Sequence, residues 1–249
     1  MSDFNDVNYV IEIREFAIAL RKVDSTRPTA EALETVIMFF QSLWRTSGSI
    51  STQRGIPIPL PKQRGLQPRG CVVEYSEINF NFKLGDSFEL DRIPELSEFQ
   101  VKVEGYLEAE NDFITLQDHW RVDSHCFPPE PRPKEPHPYI HFQRGGHAQD
   151  DFAAQIGFTP NSRMELKSPC FASMQSPGPR VPFLPHCPIL AIDFVIGQHD
   201  GDLWNRLRAI PDYYSVIKRS QNRLWRPFLE ALTTQESVAK KWIGPAFIE

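Results

Sequence analysis

Alternation of apolar and polar positions divides the chain into a helical start, a β-rich middle and a helical end. Between Val7 and Val23, Val10, Phe16, Ala17 and Leu20 fall near one helical face, although the VIEI cluster also suits a strand. Leu33, Val36, Ile37, Phe40 and Trp44 recur at three- and four-residue steps, with Thr26 and Pro28 to start a second helix and Gly48 to close it. Met38, Phe39 and Leu43 widen its stripe, so this helix is expected to pack on more than one side. The period then changes to two. Ile78, Phe80, Phe82 and Leu84 alternate with Asn79, Asn81 and Lys83 before a Gly85-Asp86 turn. Phe99, Val101, Val103 and Leu107 alternate with Gln100, Lys102, Glu104 and Tyr106, and Asn111-Asp112 turns the chain into a third strand.

That third strand carries the most informative pattern. Ile114, Leu116, Trp120 and Val122 fall on one face, with Asp118 as the exception, while Thr115, Gln117, His119, Arg121, Asp123 and His125 fall on the other. A proline-dense connection from Cys126 to Pro136 interrupts regular structure, because proline lacks the amide donor and restrains its predecessor. A short run from Pro138 to Arg144 alternates again, with Tyr139, His141 and Gln143 opposite Ile140 and Phe142, and ends at Gly145-Gly146. Ala148 to Pro188 is poorly patterned and reads as loops with one short strand or helix. Ile189 to Ile196 is almost wholly apolar and begins a helical end, in which Pro227 is expected to kink or divide the last helix.

Strands with one apolar face need a partner layer, and the N-terminal helices supply one. The expected architecture is a single α+β domain over residues 1–249. An antiparallel β-meander packs against N-terminal helices, with a C-terminal helical layer. Its parts are helical 1–48, β-rich 71–147, proline-rich loops over 148–188 and a helical C-terminal part, 189–249.

Composition narrows the class. At 249 residues, with 41% hydrophobic and 24% charged residues, the chain can bury a sizeable core. The 22 prolines against 13 glycines imply stiff connections rather than a disordered chain. A net charge of −5 argues against a wholly basic nucleic-acid binder, but local basic segments leave nucleic acid open as a partner. Residues 46–73 hold Arg54, Lys62, Arg64 and Arg69 and no acid, and the helical end is basic through residues such as Arg219 and Arg223. A solvated loop with incidental arginines is the plainer reading of the first, and an arm for acidic partners the functional one. Cys71, Cys126, Cys170 and Cys187 are widely spaced and form no C-x-x-C pair, against a zinc ribbon or thioredoxin-type site. MSDFNDVNY has acids where a secretory leader needs positive charge, and no apolar run reaches bilayer length. The expectation is a soluble, reduced, cytoplasmic protein without membrane contact.

Residues 117–147 hold five of the seven histidines: His119, His125, His137, His141 and His147. Pairing the two alternating runs as a close hairpin sets His125 against His137, Asp123 against Tyr139 and Arg121 against His141. Such a face could offer a divalent metal His119, His125 and His137 as candidate ligands, and because same-strand histidines lie too far apart to share one ion, the pair would take one from each strand, such as His125 with His137. Without metal, His125, His137 and His141 could act as general acid and base, with Arg121 and Asp123 completing the site of a phosphodiesterase or nuclease. The bland reading is a polar sheet face with an Arg121–Asp123 ion pair and hydrogen-bonded imidazoles.

The order helix, β-meander, proline-rich loop, His137-Pro138, later cysteine and helices resembles the ubiquitin-conjugating enzyme (E2) family over about residues 26–200. The family's His-Pro-Asn is His137-Pro138-Tyr139 here, and Cys170 lies 33 residues beyond His137, where the family places its cysteine close by. Neither departure suits a working conjugating enzyme, so the resemblance implies at most an inactive relative of that fold. The leading expectation is a binding or scaffold component of a larger protein assembly. It recognises a protein partner through proline-stiffened loops and the His-rich face, since rigid loops lose little entropy on binding. A His-centred hydrolase is the alternative.

Overall fold

The computed structural model describes residues 6–47, 49–52, 54–59, 69–83, 96–109, 112–125, 140–144, 171–173 and 187–234. It is an α+β fold. Helices α1 (Asp6–Leu20) and α2 (Arg27–Ser47) precede strands β1 (Ser49–Ser51), β2 (Ile56–Pro57), β3 (Val72–Lys83), β4 (Leu96–Ala109), β5 (Asp112–His125), β6 (Ile140–Arg144) and β7 (Phe171–Ser173). Helices α3 (Pro188–His199), α4 (Gly201–Arg208) and α5 (Pro211–Thr234) complete the chain. VIEI belongs to helix α1, where Ile13, Phe16, Ala17 and Leu20 are buried together. Between the first two helices, the Thr26 hydroxyl donates to the carbonyls of Leu20 and Val23, and Pro28 stands in the first turn of α2, where its missing amide costs nothing.

β3, β4, β5 and β6 form the expected antiparallel meander. β1 and β2 pair with β3, so part of the 46–73 connection, expected as a loop, lies in the sheet. Ile56 and Ile58 explain this, because both are buried between α2 and β3, and Pro57 is tolerated on a two-residue edge strand. Thr29 on α2 donates to the Pro57 carbonyl at 2.6 Å and ties the helix to that edge. β7 runs parallel to β5 beside residues 115–117.

Register settles which residues share a face. Ile78, Val101 and Trp120 form one transverse row, and Phe80, Phe99 and Val122 the next, all buried. The layer over these rows is α3. Its whole apolar run is buried, with Phe194 edge-on to Phe99 and His199 against Trp120. The N-terminal helices pack beside it, α2 along β1 and β2, and α1 against α2 and α5. The sheet centre is therefore covered by the C-terminal layer and its β1–β2 edge by the N-terminal one. Pro227 does not divide α5, which runs as one 24-residue helix. An internal proline removes a single backbone hydrogen bond, and the turns on either side keep the helix continuous.

Gly105 marks a close approach. β3 bulges between Val73 and Tyr75, and a Cβ on Gly105 would lie 2.1 Å from the Val72 carbonyl oxygen. Because that neighbour is backbone, Gly105→Ala is expected to destabilise the protein by roughly 1–3 kcal/mol, measured as a lower urea midpoint at unchanged slope.

Candidate functional site

The face of the sheet turned away from α3 is polar. Its rows read Asn79–Gln100–Arg121–Gln143, Asn81–Glu98–Asp123–His141 and Glu77–Lys102–His119. As expected, His119, Arg121 and Asp123 share this face of β5, and β5 pairs with the run ending at Arg144. The hairpin register differs by two residues from the close pairing. Arg121 stands opposite Gln143 and Asp123 opposite His141, where Arg121–His141 and Asp123–Tyr139 were expected. A two-residue displacement preserves the faces, since side chains alternate with period two. On the same edge of β5, β7 pairs with residues 115–117 and β6 with 120–124, which leaves Asp118 and His119 between the two.

Side chains on this face bind one another. Arg121 donates to the Gln143 carbonyl oxygen from Nε at 3.0 Å and Nη2 at 2.6 Å, and its Nε lies 3.2 Å from Asp123 Oδ2. His119 Nε2 lies 3.4 Å from Gln100 Oε1. Gln117 donates to Glu104, which also pairs with Lys102, and Tyr75 and Asn79 both donate to Glu77. His119 and Asp123 are almost wholly buried, at 6% and 3% exposure, whereas Tyr75, Lys102 and Glu104 of the same face remain open to solvent. His125 closes β5. His137, His147, Cys126 and Cys170 lie outside the described residues, as do Lys62 and Arg64. Among the described residues no three His, Cys, Asp or Glu side chains come together to hold a metal ion.

The other basic candidates are spread apart. Arg54 and Arg69 are exposed beside β2 and β3, whereas Arg219 on α5 pairs with Glu12 and Glu15 of α1. Arg223 lies one turn further along α5. Near Arg54, prolines 28, 57 and 59 with Ile58, Val73 and Tyr75 line a groove of about 340 Å³ between α2, β2 and β3. Burial, with Glu77 and Glu104 adding to it, pushes the Tyr75 hydroxyl up to about 12, so at neutral pH it is a fixed donor.

Two polar clusters escaped the sequence reading. Asp118, the exception on the apolar face, is gripped by Arg144, whose Nε and Nη2 donate to its two oxygens at 3.1 and 2.7 Å. His199 stacks beside it on Trp120, with ring centroids 5.9 Å apart. The second cluster centres on Asp193 of α3. That carboxylate accepts from Trp204 Nε1, from Arg208 through Nε and Nη2, and from the Tyr213 hydroxyl. A charged residue inside an otherwise apolar stretch was the available signal in both cases, since buried charge requires a partner. The partners lie 26 and 11 to 20 residues away and could not be matched by spacing.

Comparison with known proteins finds no family model, no curated protein and no solved structure that matches the chain.

Proposed function

We propose that this protein is a binding component of a larger protein assembly and that it engages its partner through the proline-lined groove and the adjoining polar sheet face. The carrying observation is the cross-strand network on that face. Arg121, His119, Gln117 and Lys102 are each held by a neighbour before any partner arrives. Side chains already ordered lose little entropy on association. Tyr75, 41% exposed and anchored to Glu77, stands where groove and face meet and serves as the aromatic anchor. The test is crosslinking of the full chain in its native extract, with crosslinks mapped to single residues. Contacts should concentrate on residues 54–59 and 69–77, and Tyr75→Ala should remove them while leaving the melting temperature within a few degrees. Crosslinks scattered over α1 and α5 instead would defeat the reading.

A hydrolase is the second reading, and one observation favours it: Asp123 stands directly opposite His141, with Arg121 ion-paired beside it. On the binding reading, His141→Gln costs about 1–3 kcal/mol at most and spares partner binding. Turnover of a phosphodiester by the full chain, abolished in His141→Gln while melting temperature and crosslinks persist, would establish the hydrolase instead.

A further inference from the structure

We propose that the outer stripe of α1 is a self-association surface, on which a second copy of this chain packs its own α1 in parallel about a two-fold axis. Exposure defines the stripe. Ile13, Phe16, Ala17 and Leu20 face the core, yet Ile11 and Ile18 on the opposite side are apolar too, at 46% and 51% exposure. A helix that is apolar all round is ordinarily covered all round. Ile11 and Ile18 stand two turns apart on one line about 10 Å long. Met38 of α2 and Tyr214 of α5 are single exposures among the described residues, and single exposures are normal on any protein surface.

The charges beside that line select what covers it. Arg14 and Glu15 lie between the two isoleucines, three and four residues from Ile11, and so on opposite flanks. Glu15 is turned toward α5, where Arg219 binds it together with Glu12. Arg14 is on the α2 side. Arg21, seven residues on and therefore in line with it, pairs there with Glu34 of α2. Arg14 is exposed and has no ion pair among the described residues. Glu15 keeps 48% of its side chain in solvent, so its carboxylate can accept from a second guanidinium. One face thus carries a cation and an anion at one level, on either side of an apolar line. Such a face is complementary to a copy of itself.

Symmetry fixes the sense of pairing. A two-fold axis parallel to the helices sets Ile11 on its equivalent and Ile18 on its equivalent, and it exchanges the flanks, so Glu15 of each copy meets Arg14 of the other. The two-fold that makes the helices antiparallel keeps the flanks, so Arg14 meets Arg14 and Glu15 meets Glu15, and like charges oppose the contact. Two isoleucines and two charges from each copy make an interface at the low end of size, with a dissociation constant on the order of 10–100 µM. No residue of the proline-lined groove takes part, so this surface is independent of the partner site proposed above.

Sedimentation velocity of the full chain over a concentration series tests this. The mean mass should rise from one chain toward two between about 1 and 500 µM. Ile18→Glu should raise the dissociation constant about tenfold or more, with the melting temperature within a few degrees because the replaced side chain is half exposed in the single chain. Arg14→Glu should weaken self-association roughly threefold to tenfold at low salt and less at high salt. A mixture of Arg14→Glu with Glu15→Lys should associate more tightly than either variant alone, since every flank contact is then between opposite charges. Oxidation of Ile11→Cys protein, with the linked peptides mapped, should join two copies through position 11. A preferred link between positions 11 and 18, in a mixture of Ile11→Cys with Ile18→Cys, would overturn the parallel arrangement. A chain that stays monomeric at about 500 µM overturns the proposal, as does a dimer indifferent to both Ile18→Glu and Arg14→Glu. Should Ile18→Glu fail to fold, Ile11→Lys takes its place with the same expected weakening.

Discussion

Asp193→Ala is expected to be among the most damaging single substitutions in this protein, lowering its stability by about 3–5 kcal/mol. The carboxylate is 3% exposed and is the common acceptor for groups from two other helices. Arg208 and Trp204 reach it from α4, and Tyr213 from α5, so one side chain fixes the angle at which three helices meet. Removing it strands several donors at once. Tyr213 is fully buried and, through burial first and the Asp193 charge second, its hydroxyl is held protonated far above its ordinary range, so it cannot relieve the loss by ionising. Arg208 keeps partial access to water and lies 4.4 Å over the Trp204 ring, which limits its share of the penalty. Urea unfolding followed by tryptophan fluorescence and by far-ultraviolet dichroism should show the full loss with both probes. Asp193→Asn, which retains the acceptor oxygen but not the charge, should fall between. A loss below about 1 kcal/mol for Asp193→Ala would mean that the helices hold their angles by apolar packing alone.

Acid should weaken the fold through His199 before the carboxylates of an unfolded chain begin to protonate. Burial pulls this imidazole from the ordinary value of 6.5 down to about 4. The unfolded chain therefore binds one more proton than the folded one between those two values, and stability falls as pH drops through that window. The stabilisation of the neutral ring is fully present above the unfolded value and is lost by the time pH reaches the folded value. A displacement of that size corresponds to about 3 kcal/mol at the acid end of the window. Urea titrations at several pH values should show the loss in the unaltered protein, and His199→Gln should flatten the difference curve over the same range. Parallel profiles for the two proteins would place the acid sensitivity elsewhere.

Much of the architecture was legible from period alone. The three-and-four spacing of Leu33, Ile37 and Phe40 marked α2, and the Pro28 start and Gly48 stop bracket Arg27–Ser47 closely. The alternation through Phe99, Val101 and Val103, and through Leu116, Trp120 and Val122, placed each residue on the face that is buried. Period survives folding because burial of one face is what the alternation encodes. Arg121 and Asp123 were legible as an ion pair for the same reason, since residues two apart on a strand point the same way.

Other features depended on contacts between distant parts of the chain. Hairpin register is invisible to a pattern of period two, because displacement by two residues leaves every face unchanged, and only the cross-strand pairing itself separates the alternatives. The strand character of Ile56-Pro57 arose from the pocket that α2 and β3 offer to Ile56 and Ile58, against the local preference of its prolines. Asp118 and Asp193 could be recognised by sequence as charges out of place. Arg144, and Arg208 with Tyr213, became their partners only when sheet edge and helix angles brought them within hydrogen-bond range. Burial is a property of a residue and its near neighbours, and the chain carries it as a local pattern. The pairing of buried charges is a property of two distant segments at once, and only the tertiary structure decides it.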